Sequence, residues 1–139
     1  MTKNGILCEV NEKHVYLDPK KTDSTAINFV SHAHSDHLPS KNGGTILSSI
    51  ETSAISDLRG FTMENHIESL DGFSLINSGH VLGSKGLLFD DIFYTGDICT
   101  RDRGFLKAAK IPSCKTLITE CTFGLPEFKF PTMGEIQNY

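Results

Sequence analysis

The sequence predicts a layered fold of the α+β or α/β class that is built on β-sheets. Short runs of β-branched and aromatic residues recur along its 139 residues, and turn residues such as Asp71-Gly72 separate them. Helical spacing of apolar residues is found chiefly in one segment, Thr52 to Arg59, which Gly60 would end. With 38% hydrophobic residues, this length suits one domain over residues 1–139.

The predicted strands follow one another through most of the chain. They are Ile6 to Val10, His14 to Asp18, Ala26 to Ser31, Thr45 to Leu47, His66 to Leu70, Phe73 to Asn77, Gly86 to Phe89, Ile92 to Tyr94 and Thr116 to Thr119. The first two surround the turn Asn11-Glu12-Lys13 and predict a hairpin, and Asp90-Asp91 predicts a second hairpin. Phe105 to Ala109 is expected to form a helical turn before Pro112, and Phe123 to Tyr139 a loop.

Charge and hydropathy exclude some classes of protein and leave others open. The net charge of −4 gives no global reason to expect nucleic-acid binding, although a local basic patch would still allow it. No apolar run approaches the roughly 20 residues that span a bilayer, and the N-terminus lacks the apolar core of a signal peptide. A cytoplasmic protein is therefore expected.

The four cysteines give no metal or disulfide pattern. Cys8, Cys99, Cys114 and Cys121 are widely spaced, and none forms a CxxC pair. We expect reduced and mostly buried thiols.

Four potential metal ligands lie within six residues: His32, His34, Asp36 and His37. Alternate residues of an extended segment point the same way, so His32, His34 and Asp36 could share one face. His37 would then point elsewhere, toward a second metal if the chain turns. Imidazole and carboxylate suit zinc, manganese or iron, so the residue types predict a site without selecting the metal. A histidine-rich surface loop is the alternative interpretation.

Two later strand ends offer further ligands. His80 follows the strand Phe73 to Asn77, and Asp97 follows the strand Ile92 to Tyr94. Taken alone, each would more commonly be a hydrogen-bonded core histidine or a turn residue. Together with the histidine cluster, their positions at strand ends predict that they complete a metal site.

These motifs resemble a known superfamily. The segment SHAHSDH resembles the HxHxDH signature of the metallo-β-lactamase superfamily, and Asp18 in YLDP, His80 in GHVLGS and Asp97 in YTGD match its other site motifs in order. GHVLGS, YTGDICTRDRGFLKAAKIP and ECTFGLPEFKFP are similar to the β-CASP branch, and within it to archaeal and bacterial mRNA 3′-end processing exonucleases. The similarity runs from Asp18 to Pro131.

The resemblance implies an αββα sandwich with metals at one edge of the sheets. It also implies zinc, with manganese possible, in two ligand groups that share a carboxylate: His32, His34 and His80 in the first, Asp36 and His37 in the second, and Asp97 between them. Asp18 would orient a ligand or the reacting water from behind. Glu120 matches the acidic residue that supports the histidines in relatives, although a cap or ion-pair role is the alternative. Asp36, Asp18 and Glu120 are the expected catalytic residues.

The implied reaction is hydrolysis of a phosphodiester by metal-activated water, on RNA more than on DNA. A basic strip follows Asp97, and its expected nucleic-acid contacts are Arg101, Arg103 and Lys107. A solvated charged face is the alternative interpretation of these residues.

The sequence also departs from the branch. His80 is its last histidine, whereas β-CASP proteins place further histidines and an inserted domain after the acidic residue. The resemblance therefore implies the N-terminal half of such an enzyme, as a natural truncation, a split-gene product or a fragment. The second metal would have only Asp36, His37 and Asp97 and should bind weakly. Half a sandwich would expose apolar surface, so we expect a homo-oligomer or a partner chain.

Three functions remain open from the sequence. The first is a metal-dependent nuclease or its catalytic part. The second is a non-catalytic or split metal-binding subunit that needs a partner chain. The third is a small-molecule hydrolase of the same superfamily, against which ECTFG and the basic strip argue.

Overall fold

Two β-sheets and few helices make up the fold, which confirms the predicted α/β class. A computed structural model describes residues 2–10, 12–122 and 124–137. Among these residues, no helix is long and apolar enough to cross a membrane.

The first sheet has five strands in the order β1-β2-β3-β4-β5. They are β1 (Ile6–Val10), β2 (Lys13–Leu17), β3 (Ile27–Phe29), β4 (Thr45–Leu47) and β5 (His66–Ile67). The β1–β2 pair is antiparallel, as the predicted hairpin requires, and the other pairs are parallel. Asn11, in the predicted turn, lies outside the described residues.

The second sheet has four strands in the order β6-β7-β8-β9. They are β6 (Phe73–Asn77), β7 (Lys85–Phe89), β8 (Ile92–Tyr94) and β9 (Thr116–Ile118). The β6–β7 and β7–β8 pairs are antiparallel, and β8–β9 is parallel. Asp90 and Asp91 connect β7 to β8 with φ angles of 43° and 61°, the backbone of a tight two-residue hairpin turn. The second predicted hairpin is therefore confirmed.

The two sheets bury their apolar side chains against each other. The core combines side chains from both sheets: Val15, Leu17, Phe29 and Leu47 from the first, and Leu87, Phe89 and Tyr94 from the second. Phe29 meets Tyr94 edge to face, with ring centroids 6.2 Å apart. Because β-strand side chains alternate between faces, Ile46 points to the opposite side from Leu47, where it joins Val30 and Met63 in a smaller cluster.

In the described part of the chain, two helices accompany the sheets, α1 (Ile50–Leu58) and α2 (Met133–Gln137). Ser49 caps α1, since its side chain accepts a hydrogen bond from the backbone N–H of Thr52. The predicted helix thus exists and begins two residues earlier than expected.

The strands predicted over Ala26 to Ser31 and His66 to Leu70 are shorter in the structure, at Ile27–Phe29 and His66–Ile67. Three other predictions differ in kind. Residues 105–109 form no helical turn, because Arg103 and Leu106 pair through their backbones across Gly104 at 2.9 Å. The tail predicted as loop contains α2, where Glu135 accepts hydrogen bonds from the backbone and side chain of Thr132 as in a helix cap. The cysteines are all free, but three are only partly buried and Cys121 is exposed.

The topology brings four loops to one edge of the fold. Strands β2 and β3 are parallel, so the residues after them, Asp18 and the segment 30–37, leave the first sheet at the same end. Strands β6 and β8 both run antiparallel to β7, so the loops that carry His80 and Asp97 leave the second sheet together.

Candidate metal centre

Three histidines and one aspartate converge where these loops meet. One side-chain donor atom from each of His32, His34, His80 and Asp97 lies within 4.8 Å of the other three. His34 Nδ1 is 2.9 Å from His32 Nε2 and 3.3 Å from His80 Nε2. Asp97 Oδ2 is 3.3 Å from His80 Nε2 and 3.7 Å from His32 Nε2. This His₃Asp group could bind a metal ion.

The spacing of the four donor atoms fits a small divalent ion. Tetrahedral zinc with bonds of 2.0–2.1 Å places its ligand atoms about 3.3 Å apart, and the four distances given above, from 2.9 to 3.7 Å, bracket that value. The side chain of His32 is fully buried, and those of His80 and Asp97 are 24% and 29% exposed, so the group is open on one side. Because four protein donors would fill a tetrahedral sphere, a reacting water would need a fifth position, and the exposed side of the group leaves room for one.

Asp18 organises the site from behind the ligands. Its Oδ1 accepts a hydrogen bond from the backbone N–H of Ser31 at 2.7 Å. Its Oδ2 accepts from the Ser31 hydroxyl at 2.6 Å, from His37 Nδ1 at 2.8 Å and from the Tyr94 hydroxyl at 2.8 Å. The side chain is only 7% exposed, so these contacts take the place of water. Asp18 therefore fixes the segment from which the histidines project.

Asp18 also determines which nitrogen of His32 faces the site. Because the Ser31 hydroxyl donates to Asp18, its oxygen is left to accept from His32 Nδ1, 2.9 Å away. This leaves the lone pair of His32 Nε2 directed at the other ligands. Burial, together with the neighbouring His37, lowers the pKa of His32 to about 3, so this ring is neutral and able to ligate.

His37 lies on the other side of Asp97. Its Nδ1 is held by Asp18, and its Nε2 is 3.5 Å from Asp97 Oδ1 and 3.7 Å from Asp36 Oδ2. Burial alone would lower the pKa of His37, but the hydrogen bond and charge of Asp18, with the charges of Asp97 and Asp36, raise it. The two oxygens of Asp97 thus face two different groups of donors.

The loop that carries His80 is seated on the segment after Asp97. The backbone N–H of Cys99 donates to the carbonyl of Ser78 at 2.9 Å, and the Asn77 amide donates to the carbonyl of Lys107 at 2.9 Å. Gly79 has a φ of 69°, and a Cβ there would lie 2.6 Å from the carbonyl oxygen of Cys99. The position requires glycine because the chain packs against its own backbone. Burial also lowers the pKa of His80, with help from His34 and Arg103.

A second glycine allows the Asp97 loop to reach the histidines. Gly96 has a φ of 55°, and a Cβ there would lie 2.6 Å from the Cβ of Ser31. The loops after β8 and β3 can therefore touch only because residue 96 lacks a side chain.

Glu120 supports the same loop and contacts no histidine. Its Oε1 accepts from the backbone N–H of Ile98 at 2.9 Å, and its Oε2 accepts from the Thr122 hydroxyl at 2.6 Å. Burial would raise its pKa, but these two hydrogen bonds, together with the charges of His80 and His37, outweigh that effect and lower it. Glu120 thus holds the backbone next to Asp97.

The basic residues expected to contact nucleic acid are largely engaged with the protein itself. The Arg103 guanidinium donates to the carbonyls of Gly79 and His80, so it lies beside the metal ligands. Lys107 pairs with Asp102 at 3.1 Å. Arg101 is exposed and lines a cavity of about 280 Å³ with Cys99, Asp102 and Arg103.

Sequence reasoning missed the supporting roles of Ser31 and Tyr94. Both precede recognised motif residues directly, Ser31 before the histidine cluster and Tyr94 before TGD. Burial and the Asp18 carboxylate raise the pKa of Tyr94 far above its ordinary value, so its hydroxyl stays a donor. In the sequence, this supporting role is indicated only by the position of each residue, a polar side chain at the end of a predicted apolar strand.

Comparison with known proteins assigns no family to this chain and gives a similarity to a small part of a longer protein. No protein-family model matches the sequence. The chain is 30% identical over 125 residues, 79% of its length, to a protein of Opitutus terrae described as "Probable DNA ligase". The chain spans only 12% of that protein's length, so the similarity concerns a small part of a much longer chain.

Proposed function

We propose that this protein is a metal-dependent phosphodiester hydrolase that acts on nucleic acid. The observation that carries the proposal is the convergence of His32, His34, His80 and Asp97 at one open edge of the fold. An open site of nitrogen and oxygen donors is typical of metal-assisted hydrolysis.

The fold we propose is the metallo-β-lactamase αββα sandwich, in its β-CASP form. Its support is the order of the motifs along the chain and the face-to-face sheets with the ligands on loops at one edge. Both the family and the branch are our assignment from these motifs.

Zinc is the metal we propose, with manganese as the alternative, in a first site of His32, His34, His80 and Asp97. Asp36 and His37 would hold a second ion weakly, together with the other oxygen of Asp97. When bound, such ions would polarise a phosphoryl oxygen and acidify a water at neutral pH.

The chain's own residues orient this chemistry. Asp18 holds His37 and, through Ser31, His32, so that each ring presents Nε2 to the site. Glu120 holds the backbone after Asp97. The Asp36 side chain is 79% exposed, so it can meet a substrate and orient or accept a proton from the attacking water.

The chemistry shared by the two candidate substrates is the phosphodiester. The sequence resemblance favours RNA, while the likeness to a protein described as a DNA ligase favours DNA. We propose nucleic acid as the substrate class, and the assay below has one arm for each polymer.

A nuclease assay tests the proposal. Labelled RNA and DNA of one sequence would be incubated with the full chain and zinc or manganese, comparing wild type with Asp36→Ala, His37→Ala and His80→Gln. His14→Gln is the matched control, because His14 is exposed on β2 and far in sequence from every ligand. We expect cleavage that EDTA abolishes, that the control retains and that the three site variants lose. Cleavage unaffected by all three would refute the assignment.

A second candidate is a metal-binding subunit that needs a partner chain. We propose the expected homo-oligomer as part of this second candidate. The favouring observation is β9, which ends the order of the second sheet and leaves Leu117 46% exposed. An exposed edge strand can pair with another chain. Sedimentation of the zinc-loaded protein tests this, and a monodisperse, stable monomer that cleaves nucleic acid would exclude it.

A further inference from the structure

A cleft with an excess of positive charge is lined by residues that flank Asp18 in sequence, outside the basic strip that the sequence suggested. It has a volume of about 620 Å³, and its lining includes Lys3, Lys20, Lys21, Tyr16 and Asp23. We propose that this cleft, the lysine cleft, binds the phosphodiester backbone of the nucleic-acid strand whose cleavage is proposed above; the inference rests on that function.

The charges in the lysine cleft are available to a ligand. Lys3, Lys20 and Lys21 are exposed, and the ion pairs among the described residues include none of them. Asp23 is the acid in the lining, but its Oδ1 accepts hydrogen bonds from the backbone and hydroxyl of Thr25, at 2.8 and 2.7 Å. Three cations against one engaged carboxylate leave a net positive surface on a chain whose net charge is −4.

The contrast with the strip after Asp97 decides between the two surfaces. There, Arg101 is exposed and in none of the ion pairs of the described residues, but Lys107 and Lys115 are paired with Asp102 and Asp91, and Arg103 donates to backbone carbonyls. Paired cations release fewer counterions when phosphate binds, so they contribute less to affinity. The lysine cleft is therefore the stronger site for a polyanion.

Backbone hydrogen bonds hold the cleft in shape. The Asn4 side chain donates to the carbonyl of Lys21 at 2.7 Å and accepts from its N–H at 2.8 Å. The N–H of Lys20 donates to the carbonyl of Asn4 at 3.0 Å. The three lysines are thus presented from fixed main chain, while their side chains remain free to follow a phosphate backbone.

The cleft and the metal centre are built on neighbouring stretches of chain. Lys20 follows Asp18, which holds His37, by two residues. The carbonyl of Lys20 also accepts from the backbone N–H of Ser40, 2.8 Å away, three residues after His37. These links join the cleft to the segment that carries Asp36 and His37, and the proposed strand runs from that segment into the cleft. Tyr16 supplies an aromatic side chain in the same lining, which suits stacking of an unpaired base.

The test is binding of single-stranded DNA by a charge-neutral variant of the cleft. Fluorescence anisotropy with a labelled 20-mer of thymidine, in EDTA to prevent cleavage, would compare wild type with the triple variant Lys3→Gln, Lys20→Gln and Lys21→Gln. The matched control is Lys13→Gln, Arg59→Gln and Lys129→Gln, which removes the same charge from exposed residues that are also outside ion pairs. Circular dichroism checks that all three proteins are folded.

The expected result follows from counterion release. Loss of three phosphate contacts should lower the slope of log K against log salt by about 2, since each single-strand contact contributes about 0.7. At roughly 0.1 M salt this corresponds to at least a tenfold rise in Kd, and the control should change little. A triple variant that binds no more weakly than the control overturns the proposal.

A second measurement separates this inference from the proposed function. Hydrolysis of bis(p-nitrophenyl) phosphate, which is too small to span the cleft, should be equal in wild type and the triple variant. If zinc-loaded wild type hydrolyses neither this ester nor any oligonucleotide, the proposed nuclease activity fails, while the binding comparison still decides the role of the lysines. A triple variant that loses ester hydrolysis while staying folded would place these lysines in the metal centre and overturn the proposal as well.

Discussion

Replacement of Asp18 by asparagine tests how strongly the site depends on its supporting carboxylate. Four hydrogen bonds end on this side chain, one on Oδ1 and three on Oδ2, at 2.6–2.8 Å. In either orientation the amide group of an asparagine turns its NH₂ toward a donor, either the backbone N–H of Ser31 or the three donors on Oδ2. At least one hydrogen bond to a buried charge is therefore lost and a donor is left facing a donor.

The size of the effect follows from these contacts. A hydrogen bond to a charged group contributes about 1.5–3 kcal/mol, and the two hydroxyl donors can rotate to recover part of it. We expect Asp18→Asn to lower the free energy of unfolding by about 2–4 kcal/mol, and zinc affinity to fall by about 10- to 100-fold, as for other partners of metal ligands. Tyr94→Phe, which removes one donor and keeps the carboxylate, should cost about 1–2 kcal/mol.

Urea unfolding of the metal-free variants and zinc titration of the folded ones measure both quantities. An Asp18→Asn protein within about 0.5 kcal/mol of wild type in stability, and equal to it in zinc affinity, would refute the role assigned to this residue.

Two further predictions concern the loops that carry ligands. Gly96→Ala should destabilise the protein by more than Gly104→Ala, because both positions have nearly the same positive φ, 55° and 56°, but only the first Cβ would strike Ser31. The left-handed backbone costs an alanine about 1–2 kcal/mol at each position, and the clash adds about 1–3 kcal/mol at residue 96. Equal thermal denaturation midpoints for the two variants would contradict the close packing of residue 96 against Ser31. Arg103→Gln should weaken zinc binding by up to about tenfold, because Arg103 holds the loop that carries His80, whereas Arg101→Gln should leave zinc affinity unchanged. Calorimetric titration measures the zinc affinity of both variants, and equal affinities would show that Arg103 does not position His80.

The fold could be predicted well where alternation and turn residues specify structure locally. The strands Ile6–Val10, Thr45–Leu47, Phe73–Asn77 and Ile92–Tyr94 have the bounds that the sequence predicts, because apolar runs end at turn residues there. The segment 105–109 was mispredicted because its apolar residues suggested a helix, whereas Gly104 with its positive φ produces a tight turn. The pairing of strands into two sheets depends on contacts distant in sequence, which local patterns do not specify.

The candidate site could be predicted in its residues and less well in their contacts. His32, His34, His80 and Asp97 were singled out from strand ends, and the structure brings them together. The partners of Asp18 were not foreseen, because Tyr94 lies 76 positions away in sequence. Which cations are free to bind a ligand could not be predicted either. The sequence shows charge, but it shows neither the carbonyls that engage Arg103 nor that Lys20 is in none of the ion pairs of the described residues.

Zinc stoichiometry tests the central claim most directly. The full chain would be dialysed against zinc at limiting free concentration, and bound metal measured by mass spectrometry for wild type and for His80→Gln. We predict one tightly bound zinc per wild-type chain, because one donor group is complete and the group of Asp36 and His37 is not, and loss of that zinc in the variant. Two tight equivalents per chain, no tight zinc, or zinc retained by His80→Gln would contradict the account.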